Sequence, residues 1–436
     1  MKKIVLAVLA AWCALDAGAA AARDVVVHAG HLIDGTGAAP RSQVSILITD
    51  DRITAIEPGY VSPADAEIVD LTGATVLPGL IDCHVHILST FHKGDPVRNA
   101  VTRTSYDDLV DGVNDVRASL LAGFTSLRSL GDDTRAVAAL RRNVAAGVVP
   151  GPRLWVSGAA LGPTAGHSDH ANGLDPALSH PEWAEGVIDN PEEARRAVRL
   201  HHREGANVIK IMPSGGVMSI GDNPRLQLMA DDEIAAVVAA AHALDMKVAA
   251  HAHGKAAIDR AVALGVDSIE HGTYADAESF ALMKRHGTYL VPTMLVAERV
   301  YERAKTHPEQ LNPSTAEKAL EVAPRIRNNL RNAYRAGVKI AFGTDTFGLS
   351  AHGENAQEFA LLVGAGLTPM EAILTATRNA ADLIGASQDI GSVQAGRYAD
   401  LIAVDGDPVA DVRVLEDVSF VMKGGIVVKR DGRSRL

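Results

Sequence analysis

Cysteine is nearly absent: the 436 residues include only Cys13 and Cys83. That excludes a disulfide framework as the source of stability, and a cysteine-rich metal site with it. Basic charge is also short, with 42 Lys and Arg against 53 Asp and Glu and a formal net charge of −11. No basic run occurs away from the termini. A nucleic-acid partner is therefore not expected, because such binding depends on clustered Lys and Arg neutralising phosphates. The N-terminal apolar run, Ile4 to Leu15, spans twelve residues, short of the roughly 20 needed to cross a bilayer. No repeat of 20 to 50 residues or low-complexity tract is evident. What remains is ordinary globular composition, 47% hydrophobic and 22% charged, able to bury a substantial core.

Lys2 and Lys3, the apolar run and the small residues Ala19 to Ala22 follow the order of a secretory signal peptide over residues 1–22, cleaved before Arg23. Cleavage removes two lysines and one aspartate, taking the formal charge from −11 to −12 and leaving Cys83 as the only thiol. The expected location is the periplasm or the exterior, with no membrane attachment after cleavage.

Two β-rich segments lie at opposite ends. Short alternating runs at Val25–His28, Val44–Ile48, Arg52–Ile56 and Glu67–Leu71, and again at Leu401–Val404, Val418–Met422 and Gly425–Lys429, read as strands separated by Gly and Asp turns. Each set is too small to stand alone. Residues 23–77 and 390–436 are therefore expected to form one composite, sandwich-like β-domain. Between them, residues 78–389 alternate apolar runs with amphipathic helices. Eight strand candidates, Thr75–Asp82, Thr125–Leu130, Arg153–Ser157, Val208–Met212, Lys247–His251, Ser268–His271, Tyr289–Pro292 and Lys339–Phe342, spell an α/β fold, a (β/α)8 TIM barrel.

The chemistry sits at the ends of these strands, where barrel enzymes gather their catalytic groups. His84 and His86 are two apart, so on a strand their imidazoles share a face and can reach one ion. Lys210 interrupts the apolar run Val208–Met212; His251, His271 and Asp345 end the fifth, sixth and eighth candidates. An ammonium in an apolar strand is costly unless paired or chemically altered. Taken alone, Lys210 reads as a core lysine reaching the barrel rim. Four histidines and an aspartate at equivalent strand ends favour instead a lysine carboxylated by CO2, an anionic oxygen ligand able to bridge two cations.

These residues, with the phrases VLPGLIDCHVH (76–86), IKIMPSGGVM (209–218), VAAHAHG (248–254), IEHGT (269–273), FGTD (342–345) and GRYADLIAVDGD (396–407), resemble the binuclear branch of the amidohydrolase superfamily. The resemblance runs from about Gly30 to Lys429 and is nearest to the group of prolidases, Xaa-Arg(Lys) carboxypeptidases and ochratoxin-hydrolysing amidases. It implies two divalent ions, expected to be Zn2+. His84, His86 and Asp345 would hold the more buried ion and His251 and His271 the other, with Lys210 bridging as N6-carboxylysine. It further implies attack of a hydroxide shared by the ions on the amide of a dipeptide or N-acyl amino acid with a free C-terminal carboxylate. Asp345 would move the proton to the leaving nitrogen. Homo-oligomers are common in that group, and one is expected here.

His167 and His253 are candidates to contact substrate carbonyl or carboxylate, and His170 is a weaker one. Ser89 and His352 fall in loops expected at the mouth. Arg128 reads as a structural ion-pair member more readily than as a carboxylate clamp. His201, His202 and His242 fall on helical patterns and read as solvated, and Cys83, facing away from the histidine pair, as packing. The group's aromatic residue after Gln227 is replaced by Leu228. The alternative reading is a mononuclear deaminase or cyclic amide or imidate hydrolase on the same barrel. Lys210 argues against it, as does His251-Ala252-His253-Gly254 standing where that class carries H-x-x-E. A catalytically silent scaffold is disfavoured because all six ligand candidates are present.

Overall fold

The computed structural model describes residues 23–90, 101–175, 177, 184–348 and 350–436. The signal peptide expected over residues 1–22 lies outside them. No helix among the described residues is long and apolar enough to cross a membrane.

Four strands open the chain: β1 (Asp24–Leu32), β2 (Arg41–Thr49), β3 (Arg52–Pro58) and β4 (Glu67–Pro78). Seven short strands follow, mostly separated by helices: β5 (Leu80–Val85), β6 (Phe124–Ser129), β7 (Arg153–Val156), β8 (Val208–Ile211), β9 (Lys247–Ala252), β10 (Ser268–His271) and β11 (Tyr289–Val291). The chain closes with β12 (Leu401–Val404), β13 (Val418–Lys423), β14 (Ile426–Arg430) and β15 (Arg433–Ser434).

Strands from both ends share one eight-stranded sheet, in the order β15-β14-β13-β12-β4-β1-β2-β3. The join is the antiparallel pair β4 with β12, Leu401 opposite Pro78 and Val404 opposite Thr75. Period-two placement of apolar side chains explains the packing: Val44, Ile46 and Ile48 of β2 share one face and join Val25, Val27 and Val69 in one apolar cluster. The run expected as one strand from Thr75 to Asp82 is divided at Gly79. There the Gly79 amide donates to the Asp400 carbonyl at 2.8 Å, and a Cβ would lie 2.1 Å from Thr125 Oγ1. Only glycine fits so close an approach.

The middle strands are parallel, as a three-stranded sheet β5-β6-β7 and a four-stranded sheet β11-β10-β9-β8. Most of their residues are buried on both faces, Val208 to Ile211 throughout, as expected of a parallel sheet covered by helices. The helix Pro191–Glu204 shows how the sequence shapes the cover. Asn190 accepts from the amides of Glu192 and Glu193, Pro191 occupies the first turn, and Gly205 ends the helix at φ 115°. Ala194, Val198 and His201 form its buried stripe. His201 is thus not solvated as its helical setting suggested; position on the stripe outweighs its polarity.

The eighth strand expected at Lys339–Phe342 does not form a regular ladder. Isolated parallel bridges, Leu290 with Ile340, Val85 with Thr346 and Leu161 with Ile211, stitch the two sheets instead of one closed sheet. The cause is local. The Phe342 amide donates to the Thr375 carbonyl at 3.0 Å, and Asn379 Nδ2 donates to the Ile340 carbonyl at 2.9 Å. The Thr375 carbonyl and the Asn379 side chain of a helical segment thus take bonds that a neighbouring strand would otherwise make. The C-terminal ends of β5, β8, β9 and β10 and the Asp345 loop converge on one cavity.

Candidate metal centre

The cavity has a volume of about 470 Å³, within the usual range for small-molecule sites. His84, His86, Lys210, His251, His253, His271 and Asp345 line its closed end. Two sets present one ligand atom each, all within 4.8 Å of one another: His251, His253 and His271, and His84, His271 and Asp345. His86 joins the second through Asp345, whose Oδ1 lies 3.0 Å from His86 Nε2 and 3.4 Å from His84 Nε2. Lys210 Nζ is 3.4 Å from His84 Nε2. The six residues expected as ligands thus meet in one place, with His253 among them.

Hydrogen-bond partners fix which nitrogen of each ring is available. His84 Nδ1 donates to the Glu270 carboxylate at 2.9 Å, leaving Nε2 as the lone pair facing Asp345 and Lys210. Thr293 Oγ1 donates to the Pro292 carbonyl at 2.8 Å. It therefore accepts from His271 Nδ1 at 2.6 Å, and His271 Nε2 is a lone pair as well. His251 Nδ1 lies 2.9 Å from His271 Nε2 and, that nitrogen being a lone pair, donates to it, while His251 Nε2 is 3.4 Å from the Gly215 carbonyl. Burial pushes the His84 imidazole down to about 4, with Lys210 adding to the effect, and holds His251 and His271 well below their usual value. Neutral imidazoles with converging lone pairs are the state in which histidine binds metal. The residues present fit divalent ions.

Backbone strain marks the same place. Thr293, His271 and Asp345 adopt φ of 51°, 69° and 54°, the left-handed region that non-glycine residues rarely enter. All three touch the cluster, and such outliers gather at functional sites.

Behind His84 lies a buried relay that the sequence reading did not identify. Glu270, fully buried, accepts from Arg128 Nη2 at 3.0 Å, from Ser268 Oγ at 2.5 Å and from His84 Nδ1. Burial by itself favours protonating Glu270, but the Arg128 guanidinium and His84 outweigh it and hold the carboxyl down to about 2. Removing one partner of such a buried pair costs about 3–5 kcal/mol, because the other charge stays desolvated. Glu270 is the residue before His271 in the strand Ser268–His271, whose only apolar member is Ile269, so no apolar run set it off as one did Lys210. Arg128 is an ion-pair member, its Nε donating to the Cys83 carbonyl at 2.5 Å. Asp82 supports the other side, accepting from the His84 amide at 3.0 Å and from Thr344 Oγ1 and Asn355 Nδ2 at 2.7 and 2.8 Å. Cys83 is buried among apolar neighbours that include Ile81 and Val291.

Toward the mouth, Ser89, His167 and His170 line the cavity. His167 Nδ1 lies 2.7 Å from Ser219 Oγ, whose hydroxyl donates to Asp222 at 2.6 Å. Lys318 Nζ donates to Asp222 Oδ1 at 3.0 Å and to the carbonyls of Gly216 and Ser219 at 2.7 Å. This network ties the segment 216–222 to the helix Pro313–Ala336 and fixes the His167 ring. Burial pushes His167 down to about 4. His253 Nδ1 contacts Thr273 Oγ1 at 2.7 Å, and its ring stacks on His271 with centroids 4.9 Å apart. His352 sits apart. It lies behind His86 rather than on the cavity wall, with Nε2 on the His86 carbonyl at 3.2 Å and Nδ1 facing Ser119 at 3.3 Å.

Residues 75–428 match the model of the amidohydrolase family. Ochratoxinase of Aspergillus niger is 34% identical over 439 residues, covering 94% of this chain and 88% of that protein. A solved Xaa-Pro dipeptidase with methionine bound in its active site is 38% identical, with TM-score 0.89, covering 93% of this chain and all of that one, 100%. A prolidase complexed with N-methylphosphonate-L-proline is 33% identical, with TM-score 0.86 over 93% of this chain and 100% of that one. Buried histidines at the ends of parallel strands, set in such a neighbourhood, define a metal-dependent hydrolase acting on amide bonds. The chain belongs to the amidohydrolase family.

Proposed function

We propose that the enzyme hydrolyses the amide bond of dipeptides or N-acyl amino acids that carry a free C-terminal carboxylate. The observation that carries this reading is the convergence of His84, His86, Lys210, His251, His271 and Asp345 at the closed end of a cavity open to the surface. The middle region is read as a (β/α)8 barrel, and residues 23–77 with 390–436 as its composite β-domain.

His84, His86 and Asp345 would hold one divalent ion and His251 and His271 a second, with Zn2+ suited to imidazole and oxygen ligands. When bound, the ions acidify a water and polarise the amide carbonyl. Lys210 is pushed down to about 8 by burial, so a share of its amine is neutral near physiological pH. That amine adds to CO2, forming an N–C bond and releasing a proton. The resulting carbamate offers two anionic oxygens where an ammonium would repel cations.

Asp345 takes the proton of the attacking water and delivers it to the amide nitrogen as the C–N bond breaks; an amide leaving group needs that proton. Glu270 and Thr293 keep His84 and His271 in the tautomer that presents Nε2. His167 and His253, beside the cluster, are placed to meet the substrate carbonyl or carboxylate, with Ser89 shaping the mouth; His352 supports His86 from behind. Residues 1–22 direct the chain to the periplasm or exterior, and the mature enzyme is a homo-oligomer.

The test is a hydrolysis panel with zinc-loaded mature protein. Dipeptides and N-acyl amino acids, including an acyl-phenylalanine amide such as ochratoxin A, are expected to release the free amino acid. Amidating the substrate carboxylate is expected to lower kcat/KM about 10- to 150-fold, the value of one charge-assisted contact. Cleavage confined to cyclic amides or aminated rings would overturn the assignment.

A further inference from the structure

We propose that the cavity wall away from the metal-ligating cluster is a subsite for an apolar side chain, and that it makes the enzyme select amides flanked by aliphatic or aromatic rather than cationic residues. The inference rests on the amide-hydrolase reading and adds a substrate class to it.

The cavity is chemically divided. One end carries the imidazoles, Lys210 and Asp345; much of the opposite wall comes from two helices, Met294–Thr306 and Pro313–Ala336. Val296 and Val300, one turn apart, present the first helix, and Val322 and Ala323 the second, with Phe347 beside His86. None of these side chains can accept a hydrogen bond from an ammonium or guanidinium. Among the described residues lining the cavity, the carboxylates are Asp345 and Asp169. Asp345 belongs to the metal-ligating cluster. Asp169 accepts from the amides of Ala165 and Ala171 at 2.9 and 3.0 Å, which commits it to its own loop. A cationic side chain on this wall would lose its hydration without gaining a hydrogen-bond or ion-pair partner, whereas an aliphatic or aromatic one gains by leaving water.

Small residues make room. Ala297 and Ala323 line the cavity and are only half-buried. They leave space between the valines and also provide positions where a longer side chain can be introduced at little cost to folding.

The test compares lysine with its uncharged near-isostere norleucine in two series, Nα-acetyl-X and X-glycine, using the zinc-loaded full-length mature chain. Arginine, leucine, methionine and phenylalanine extend each series. In at least one series kcat/KM is expected to favour norleucine over lysine by about 10- to 200-fold, the discrimination an apolar pocket achieves. Ala323→Glu and Ala297→Glu each place a carboxylate on the wall, and at least one of them should shrink that ratio by about tenfold or more. Equal kcat/KM for norleucine and lysine in both series overturns the inference while leaving the amide-hydrolase reading intact, and so does a ratio unmoved by either folded variant. Calorimetric binding of Nα-acetylnorleucine and Nα-acetyllysine separates the two failures. Preferential binding of norleucine without turnover of any compound supports the subsite and removes the hydrolase reading; equal binding without turnover removes both.

Discussion

Lys210→Ala is expected to lower kcat/KM by about 1000-fold, roughly 4 kcal/mol of transition-state stabilisation. The side chain is 1% exposed, and its Nζ lies 3.4 Å from a histidine nitrogen whose lone pair faces it. A lysine reaching the rim would show an exposed ammonium, and this one lies at the closed end of the cavity. Alanine removes the oxygens that would join the two ions, so metal content should fall with activity. Acetate or propionate is expected to restore part of both by supplying a carboxylate in the vacated space. Turnover and metal content unchanged from the parent enzyme would show that Lys210 is a packing residue and that the ions need no bridge.

Asp345→Asn is expected to lower kcat by about 10²- to 10⁴-fold, the range for loss of a positioned acid-base group, with a smaller change in KM. Burial alone would raise the Asp345 carboxyl, but the His84 and His86 imidazoles outweigh it and hold the group well below the usual carboxylate range. A carboxyl depressed in this way is ionised throughout the neutral range and can accept a proton there. Asparagine keeps the size and the hydrogen bonds but cannot carry the proton. A variant retaining more than a tenth of the parent kcat would remove Asp345 from proton transfer.

Much of the fold is legible in the sequence because its signals are local. Val44, Ile46 and Ile48 fall at every second position and so reach one apolar cluster together. Asn190-Pro191 and Gly205 bracket a helix whose ends fall where capping chemistry puts them. The eighth strand is not legible in this way. Whether Phe342 pairs with a strand or gives its amide to Thr375 depends on a segment more than thirty residues away in the chain. Gly79 looks like a turn in sequence, and only the nearby Thr125 shows why no other residue fits.

The candidate site divides along the same line. His84, His86, Lys210, His251, His271 and Asp345 stand out because polar residues ending apolar runs are costly without a purpose. Glu270 stands between Ile269 and His271 in a strand with little apolar contrast, so its burial against Arg128 shows only in the fold. Thr293, which sets the His271 tautomer, carries no sequence signal at all. Its role comes from a left-handed backbone and a partner 22 residues away. His352 shows the converse: a loop position near the mouth does not say which way a ring points, and this one turns to the His86 carbonyl.

The central claim is that two ions work together at this cluster, and a titration tests it most directly. Metal-stripped mature protein is titrated with Zn2+ in bicarbonate buffer while the hydrolysis rate of one dipeptide and the bound metal are both followed. The account predicts that rate climbs until about two ions are bound per chain and then levels. Full activity at about one ion, with no further gain as the second binds, would contradict it and favour mononuclear chemistry on the same scaffold.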